Sequence, residues 1–198
     1  MLLRLSLLGI LVLLLAGSFA SFLRNRGANH KNMDATKWFD GYSGQSTNEL
    51  ISLQREYRTD SIVLAFEQAI QQKAARKGES SLTTDERMVL AIEALEREVN
   101  NGGYSLFFLN SSHEYLPTIV QSLQQIGCPR RAEITQAAID ALHLHDLSDP
   151  QIESEMKRDD DQRDAALDRC DKRYFKEPEA IADHLFGYIK AHPDSFPL

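Results

Sequence analysis

Cysteine is scarce in this sequence, because only Cys128 and Cys170 occur among its 198 residues. Two cysteines exclude a disulfide-rich scaffold, and their spacing does not say whether they pair or remain free thiols. The sequence also lacks glycine-rich phosphate loops, nucleophile elbows and the His-Glu-x-x-His pattern of zinc enzymes. We therefore expect a non-catalytic protein without a cofactor.

Positive charge is scarce after the first 26 residues. All 29 acidic residues follow position 33, whereas 19 Lys and Arg lie in residues 27–198, which leaves that part with a formal charge of −10. Such an excess of acid disfavours direct contact with nucleic-acid phosphates or anionic lipid. It is typical either of a plain soluble domain or of a domain with a basic protein partner.

Residues 5–23 form a hydrophobic run without any charged side chain. As a helix, this run would extend about 28 Å, close to the ~30 Å hydrocarbon core of a bilayer. The run therefore predicts a single membrane-spanning helix. Arg24 and Arg26 follow it and favour a retained anchor with the domain in the cytoplasm. The alternative is a signal peptide cleaved after Ala20, with the domain exported.

The sequence is interpreted as a membrane segment, a tether and one domain. The membrane segment covers residues 1–26, and residues 27–45, rich in Asn, Gly and Lys, form the predicted tether. Trp38, Phe39 and Tyr42 within the tether are expected to pack on the domain, and contact with the membrane interface is the alternative. Residues 46–198 show helical periodicity and no convincing pair of strands, which predicts a single all-α helical bundle.

Capping residues and apolar spacing indicate where the helices lie. Ser46 with Glu49, and Thr83 with Glu86, form capping boxes that begin two of them. Gly78 ends one helix, and the turn 100–103 ends the next. The apolar segment 104–109 is too short to be assigned by periodicity, but it must be buried. The predicted helices cover residues 46–57, 61–77, 83–100, 114–126, 129–144, 150–175 and 178–191.

His143 and His145 are the candidates for a metal or hydrolytic site. They lie two residues apart, which places them on different faces of a helix or makes them half of a metal site in a loop. Asp140 and Asp146 are near in sequence, but no third or fourth ligand is identifiable. A hydrolase-like or metal-using enzyme is therefore an alternative hypothesis, and exposed histidines near a helix end are the favoured interpretation.

Acidic residues are concentrated between Asp140 and Asp171, where eleven acids stand against four basic residues. Residues 159–161 lack the glycine and the terminal glutamate of a calcium loop. One helix over residues 150–175 would expose its polar centre and form a surface for a basic partner. We call the predicted partner-binding set the acidic face: Asp149, Glu153, Asp159, Asp160, Asp161, Asp164 and Asp168. An ordinary solvated helix, in a membrane-tethered helper protein without charge-dependent binding, is the alternative.

Two groups of residues resemble a known family. The first runs from Glu93 through Val99, continues as Asn100-Asn101-Gly102-Gly103-Tyr104 and then Phe107-Phe108-x-Asn110-Ser111, and closes with a helix ending Leu123-x-x-Ile126-Gly127. The second runs Leu167-Asp168-x-x-Asp171-x-x-Tyr174-Phe175, then Tyr188-Ile189-x-x-His192-Pro193-x-x-Phe196. Together they resemble the bacterial DNA-mimic-protein-like domain of unknown function over most of residues 48–197.

This resemblance implies an all-α fold. For the member that gives the family its name, it also implies a homodimer whose surface acids imitate DNA phosphates and bind a transcription factor. The motif residues are interpreted as structural, with glycines that end a helix, residues that cap the next helix and aromatics that fill the core. This structural set is Asn101, Gly102, Gly103, Tyr104, Phe107, Asn110 and Ser111.

Overall fold

The computed structural model describes residues 37–198, which contain eight α-helices and four short 3-10 helices. Within this range the β-type pairing is limited to one isolated bridge between Lys37 and Tyr57, so the all-α prediction is confirmed. The α-helices are α1 (Thr47–Ser52), α2 (Thr59–Lys77), α3 (Thr84–Leu109), α4 (Leu116–Gln125), α5 (Pro129–Asp140), α6 (Asp149–Lys157), α7 (Asp161–Lys176) and α8 (Ile181–Ala191). The 3-10 helices are Leu53–Arg55, Glu79–Ser81, Ser111–Tyr115 and Pro193–Ser195.

Several predictions concern the beginning of the chain and lie outside the described residues. They are the hydrophobic segment of residues 5–23, the cleavage position after Ala20 and the first part of the tether, residues 27–36. Among the helices that the structure describes, none is both long enough and apolar enough to cross a membrane. The membrane anchor therefore stays a prediction from the sequence.

Residues 37–45, the last part of the predicted tether, lie against helix α2. The backbone N–H of Phe39 donates to Ser61 Oγ at 3.1 Å, and that of Tyr42 donates to Gln68 Oε1 at 2.8 Å. Both aromatic rings are partly buried against the hydrophobic core. The expected packing is confirmed for Phe39 and Tyr42, whereas the Trp38 ring lies beside the guanidinium of Arg58, whose Cζ is 5.5 Å from the ring centroid.

Helix α3 is the centre of the bundle, because it packs against α2, α4, α6 and α7. It begins with the predicted capping box, in which Glu86 N donates to Thr83 Oγ1 at 3.0 Å and Thr83 N donates to Glu86 Oε2 at 2.8 Å. The same arrangement begins α1, as predicted. Ile92, Leu95 and Val99 of α3 are fully buried at the spacing of one helix face. The remaining helices are arranged around this buried axis.

The Asn-Gly-Gly sequence interrupts α3, as predicted, and helix then resumes at once. Gly102 (φ −164°, ψ 23°) and Gly103 (φ 73°, ψ −173°) have non-helical backbone angles, and residues 104–109 form a second helical stretch. The burial expected of this stretch holds for three aromatic side chains, Tyr104, Phe107 and Phe108. It does not hold for Leu109, which is 53% exposed.

The prediction of one helix over residues 150–175 is wrong, because the structure has two helices, α6 and α7, separated at residues 158–160. Arg158 has an extended backbone. Asp160 is the N-cap of α7, where its side chain accepts hydrogen bonds from the N–H groups of Gln162 and Arg163. An aspartate that satisfies two free N–H groups begins a helix more favourably than it continues one.

Two boundaries after the break in α3 also differ from prediction. Asn110 was expected to cap the following helix through its side chain, but Asn110 Nδ2 donates to Glu98 Oε2 at 2.7 Å instead. The following 3-10 helix has no side-chain cap, and α4 begins at Leu116. The Asn110 side chain therefore bonds the buried Glu98 carboxylate rather than the N–H groups of the next helix, because a buried carboxylate has few other hydrogen-bond donors.

The segment 195–197 lies against the first helices of the bundle, where three side chains donate hydrogen bonds to its carbonyl oxygens. Thr83 Oγ1 donates to the carbonyl oxygen of Ser195 at 2.8 Å, Lys73 Nζ donates to that of Pro197 at 3.0 Å, and Thr47 Oγ1 donates to that of Phe196. The Phe196 ring is fully buried. We call residues 195–197 the C-terminal strap.

Candidate acidic interaction surface

The first acids of the acidic face lie on α6. Asp149 is the first residue of this helix, and its Oδ1 lies 3.3 Å from Nε2 of the buried His113. The Nδ1 of His113 lies 3.2 Å from the carbonyl oxygen of Phe108, which fixes the orientation of the ring. One turn later, a hydrogen bond from Lys157 at 3.0 Å lowers the pKa of Glu153. Both carboxylates are exposed, but each already has a basic neighbour.

The turn between α6 and α7 is organised by an arginine. The Nη2 of Arg158 donates to Asp160 Oδ2 at 2.9 Å and to Glu155 Oε1 at 2.8 Å. Hydrogen bonds from the backbone N–H of Arg163 and from the Arg158 side chain hold the pKa of Asp160 below its ordinary value. Asp160 therefore acts mainly as a helix cap.

Arg163 fixes the start of α7 against the end of α6. Its side chain is only 4% exposed, and it donates to the carbonyl oxygen of Glu155 and, from Nη2, to Asp164 Oδ1 at 2.7 Å. A buried guanidinium that spans two helix ends restricts their relative movement. The acids that follow it on α7 therefore stand on a rigid support.

Three acids of the acidic face remain free to meet a partner. Asp159, Asp161 and Asp168 are exposed and make no ion pair with any residue that the structure describes. Asp161 and Asp164 lie in the first turn of α7, where the helix dipole stabilises negative charge. Asp161 and Asp168 lie on the side of α7 away from its buried residues, and Asp164 lies at the flank, where it contacts Arg163. This part of the acidic face is the most accessible.

Two acids of the sequence cluster, Glu155 and Asp171, form contacts within the fold. Glu155 is 7% exposed and pairs with Arg163 and Arg158. Asp171 is half-buried beneath the break in α3, where its Oδ1 accepts a hydrogen bond from the backbone N–H of Tyr104 at 2.8 Å. Burial raises the pKa of Asp171 despite this hydrogen bond. Neither carboxylate is available to a partner.

The motif aromatics form a buried polar network. The Tyr104 hydroxyl lies 2.8 Å from Thr135 Oγ1, and the Tyr174 hydroxyl donates to Glu96. Burial raises the pKa of both tyrosines, so their hydroxyls stay protonated. The Arg131 guanidinium covers the Tyr174 ring at 4.0 Å. These contacts join α3, α5 and α7, and they give the motif a packing role.

The histidines of the alternative enzyme hypothesis are exposed in the turn after α5. His143 has a φ of 53°, the left-handed conformation that often ends a helix. Within residues 37–198 no group of three or more His, Cys, Asp or Glu side chains is arranged to hold a metal ion. Among the described residues, the structure thus gives no support to a metal site at His143 and His145.

Cys128 and Cys170 are free thiols, and both are buried. Burial raises the pKa of Cys128 to about 12, and it also raises the pKa of Cys170. Thiols held in the protonated form are poor nucleophiles. Their packing role is that of small apolar side chains.

Comparison with known proteins is consistent with this helical, acidic arrangement. No curated protein and no solved structure matches the chain. Residues 80–192 match the family described as DMP19-like protein. The matched region begins just before α3 and includes the break in α3, both helices of the acidic face and α8. Because the match covers more than half of the sequence, the chain belongs to the DMP19-like family of DNA-mimic-type domains.

Proposed function

We propose that this chain is a membrane-anchored, non-catalytic interaction protein whose acidic face binds a basic, DNA-binding protein as a DNA mimic. The observation that carries the proposal is the group of exposed acids on α7, Asp161, Asp164 and Asp168, supported by the buried Arg163. Membership of a DNA-mimic-type family supports the same function. Direct binding of nucleic acid is not expected, because the domain carries an excess of negative charge.

The spacing of these acids agrees with such mimicry. Asp161 and Asp168 are seven residues apart, so the three carboxylates rise over about 10 Å along the helix. One strand of duplex DNA carries a phosphate every ~3.4 Å along its axis, or about three charges over the same distance. A protein surface that contacts one DNA strand through Lys and Arg therefore meets carboxylates over a similar length of α7, with the charge of Asp164 partly offset by its ion pair with Arg163.

The proposal is tested by charge reversal in the full-length chain, reconstituted in lipid nanodiscs and used to capture basic proteins from a lysate. Reversing Asp161, Asp164 and Asp168 to Lys is expected to remove the captured DNA-binding proteins. The matched control reverses Glu56, Glu114 and Asp194, three exposed acids outside the acidic face, with the same change in net charge. Capture should also weaken steeply with added salt. Equal loss in both variants, or capture insensitive to salt, would contradict the proposal.

The anchor is the second part of the proposal. We infer that residues 5–23 are retained in the membrane and that the domain lies in the cytoplasm, because Arg24 and Arg26 follow the uncharged stretch. Of two reporters fused in turn after Leu198 through a flexible linker, the one that works only in the cytoplasm should be active. N-terminal sequencing of the mature chain should find Met1 as its first residue. A mature chain that begins at Ser21 would instead establish cleavage after Ala20. By family resemblance we also propose a homodimer, which light scattering of the solubilised chain would measure.

A further inference from the structure

A shallow groove of about 430 Å³ lies along the exposed side of α8. It is lined by Ile126, Gly187 and Ala191, by the ring-bearing residues His184, Tyr188 and His192, and by Asp183. None of these residues belongs to the acidic face. We call this feature the α8 groove.

The two imidazole rings of the α8 groove are oriented by backbone carbonyl groups. His184 Nδ1 lies 3.2 Å from the carbonyl oxygen of Ile126, and His192 Nδ1 lies 2.9 Å from that of Tyr188. A carbonyl oxygen only accepts hydrogen bonds, so each Nδ1 carries the proton in these contacts. In the neutral ring, Nε2 then keeps its lone pair and is a hydrogen-bond acceptor.

The Tyr188 ring is also held in place. It stacks on His192 with ring centroids 4.2 Å apart. Its hydroxyl accepts a hydrogen bond from Gln125 Nε2 at 2.5 Å and donates to Asp85 Oδ1 at 3.2 Å. A ring fixed at both its face and its hydroxyl offers a preformed flat surface to a ligand.

The groove leaves room for close approach at Gly187. A Cβ added at Gly187 would meet no atom within 4 Å, so the helix backbone is accessible there. Among residues 37–198, no Lys or Arg lines the groove. Lys190, on the same helix, donates to Gln54 at 3.0 Å and covers the Phe186 ring at 5.0 Å. The negative charge of Asp183 is therefore not neutralised by a basic lining residue.

We propose that the α8 groove binds an arginine side chain of a partner protein. A guanidinium is planar and cationic, it stacks on ring faces, and it donates several hydrogen bonds in one plane. The rings of the groove, the Asp183 carboxylate and the two Nε2 acceptors match these properties. The apolar stem of the arginine covers Gly187 and Ala191. An anionic group would instead face a carboxylate and two lone pairs.

This site does not depend on the proposed DNA mimicry, because it uses a different helix and different residues. The probe is N-acetyl-arginine-N′-methylamide, titrated into the full-length chain in nanodiscs at pH 8 with ¹³C-labelled histidine. The Cε1–H signals of His184 and His192 are expected to shift and saturate with a Kd on the order of millimolar, as befits one small side chain. The citrulline analogue, which is neutral but nearly the same shape, is the matched ligand. It should leave both signals in place.

Other histidines of the chain serve as internal references. His113 contacts Asp149 and therefore reports binding at the acidic face, whereas His143 and His145 lie outside both sites. A shift of His113 without a shift of His184 and His192 would support the acidic face and overturn the arginine site. The reverse pattern would support the arginine site independently of the proposed function.

The groove can also be filled by mutation. Gly187→Leu is expected to weaken probe binding about tenfold or more, because the new side chain occupies space within the groove. The control, Ala165→Leu, places the same side chain at an exposed position of α7 and should leave the affinity unchanged. The melting temperatures of both variants verify that they fold. Unchanged binding to folded Gly187→Leu, or equal shifts with the citrulline analogue, would overturn the assignment.

Discussion

The carboxylate of Asp171 lies directly beneath Gly103, so close that a Cβ added to the glycine would stand 2.1 Å from Asp171 Oδ2. The same carboxylate accepts the hydrogen bond from Tyr104 N, the first residue of the resumed helix. A side chain from α7 thus caps the second half of α3 from outside. This contact explains why the Asn-Gly-Gly-Tyr block and the later Asp171 occur in the same sequence pattern.

Substitution Gly103→Ala is expected to lower the free energy of unfolding by at least about 2 kcal/mol. Alanine is strained at the φ of 73°, and its methyl group collides with the Asp171 carboxylate. Urea unfolding of the detergent-solubilised chain, followed by circular dichroism, measures the change. Gly187→Ala is the control and should be neutral or stabilising by up to ~1 kcal/mol, because Gly187 lies in a regular helix with open space around it.

Asp171 should make stability depend on pH. Burial raises its pKa in the folded protein above the ordinary value of 3.8. The stabilisation that comes from the raised pKa of Asp171 is therefore fully present below pH 3.8, and it is lost as the pH rises through the pKa of Asp171 in the folded protein. Substitution Asp171→Asn keeps an acceptor for Tyr104 N but does not titrate. The stability of the wild-type chain relative to this variant should fall as pH rises from about 3.5, and a constant difference would contradict the assignment.

Substitution Arg163→Ala is expected to cost about 2–4 kcal/mol of unfolding free energy, because it leaves the buried Glu155 without one of its two arginine partners. It should also reduce capture of the basic partner by loosening the start of α7. Arg169→Ala removes an exposed arginine from the same helix and should change stability by no more than about 0.5 kcal/mol. Similar losses in the two variants would show that burial of Arg163 contributes little.

Two phenylalanines at opposite extremes of exposure give a direct test of the C-terminal strap. Phe196 is fully buried with its ring 6.2 Å from that of Phe66, whereas Phe175 is 58% exposed. Phe196→Ala is expected to lower the free energy of unfolding by about 3–5 kcal/mol. Phe175→Ala should have little effect, within about 0.5 kcal/mol. A small loss for Phe196→Ala would mean that the strap detaches without disturbing the bundle.

The sequence predicted the helices wherever local chemistry determines their ends. Both capping boxes are formed by residues three positions apart, so their geometry depends little on the rest of the fold. The separation of α6 from α7 was missed because residues 158–160 contain neither glycine nor proline. Asp160 begins α7 through hydrogen bonds that composition does not reveal, and α6 has already ended at Lys157 with Arg158 as its C-cap.

The acidic face was predictable as a cluster of charge but not as a surface. Sequence distance does not show that Asp149 contacts His113, 36 positions earlier. One missed residue did have a signal: Arg163 lies in register with the buried Leu167, Cys170 and Tyr174 of α7. A charged residue on an apolar stripe predicts a buried ion pair. The groove on α8 had no such signal, because its acceptor geometry depends on carbonyl groups of the folded backbone.

The C-terminal strap also imposes an order on biosynthesis. Thr47 and Phe196, which it joins, are separated by 149 positions, so a ribosome makes α1 to α3 long before their polar side chains can receive the strap. Until then Lys73, which pairs with Glu86 at 2.8 Å in the finished fold, lacks the hydrogen bond that it donates to the carbonyl oxygen of Pro197. Helices α1 to α3 therefore complete their packing only after residues 195–197 have been synthesised, and a nascent chain stalled before Ser195 lacks the hydrogen bonds that the strap accepts from Thr47, Lys73 and Thr83.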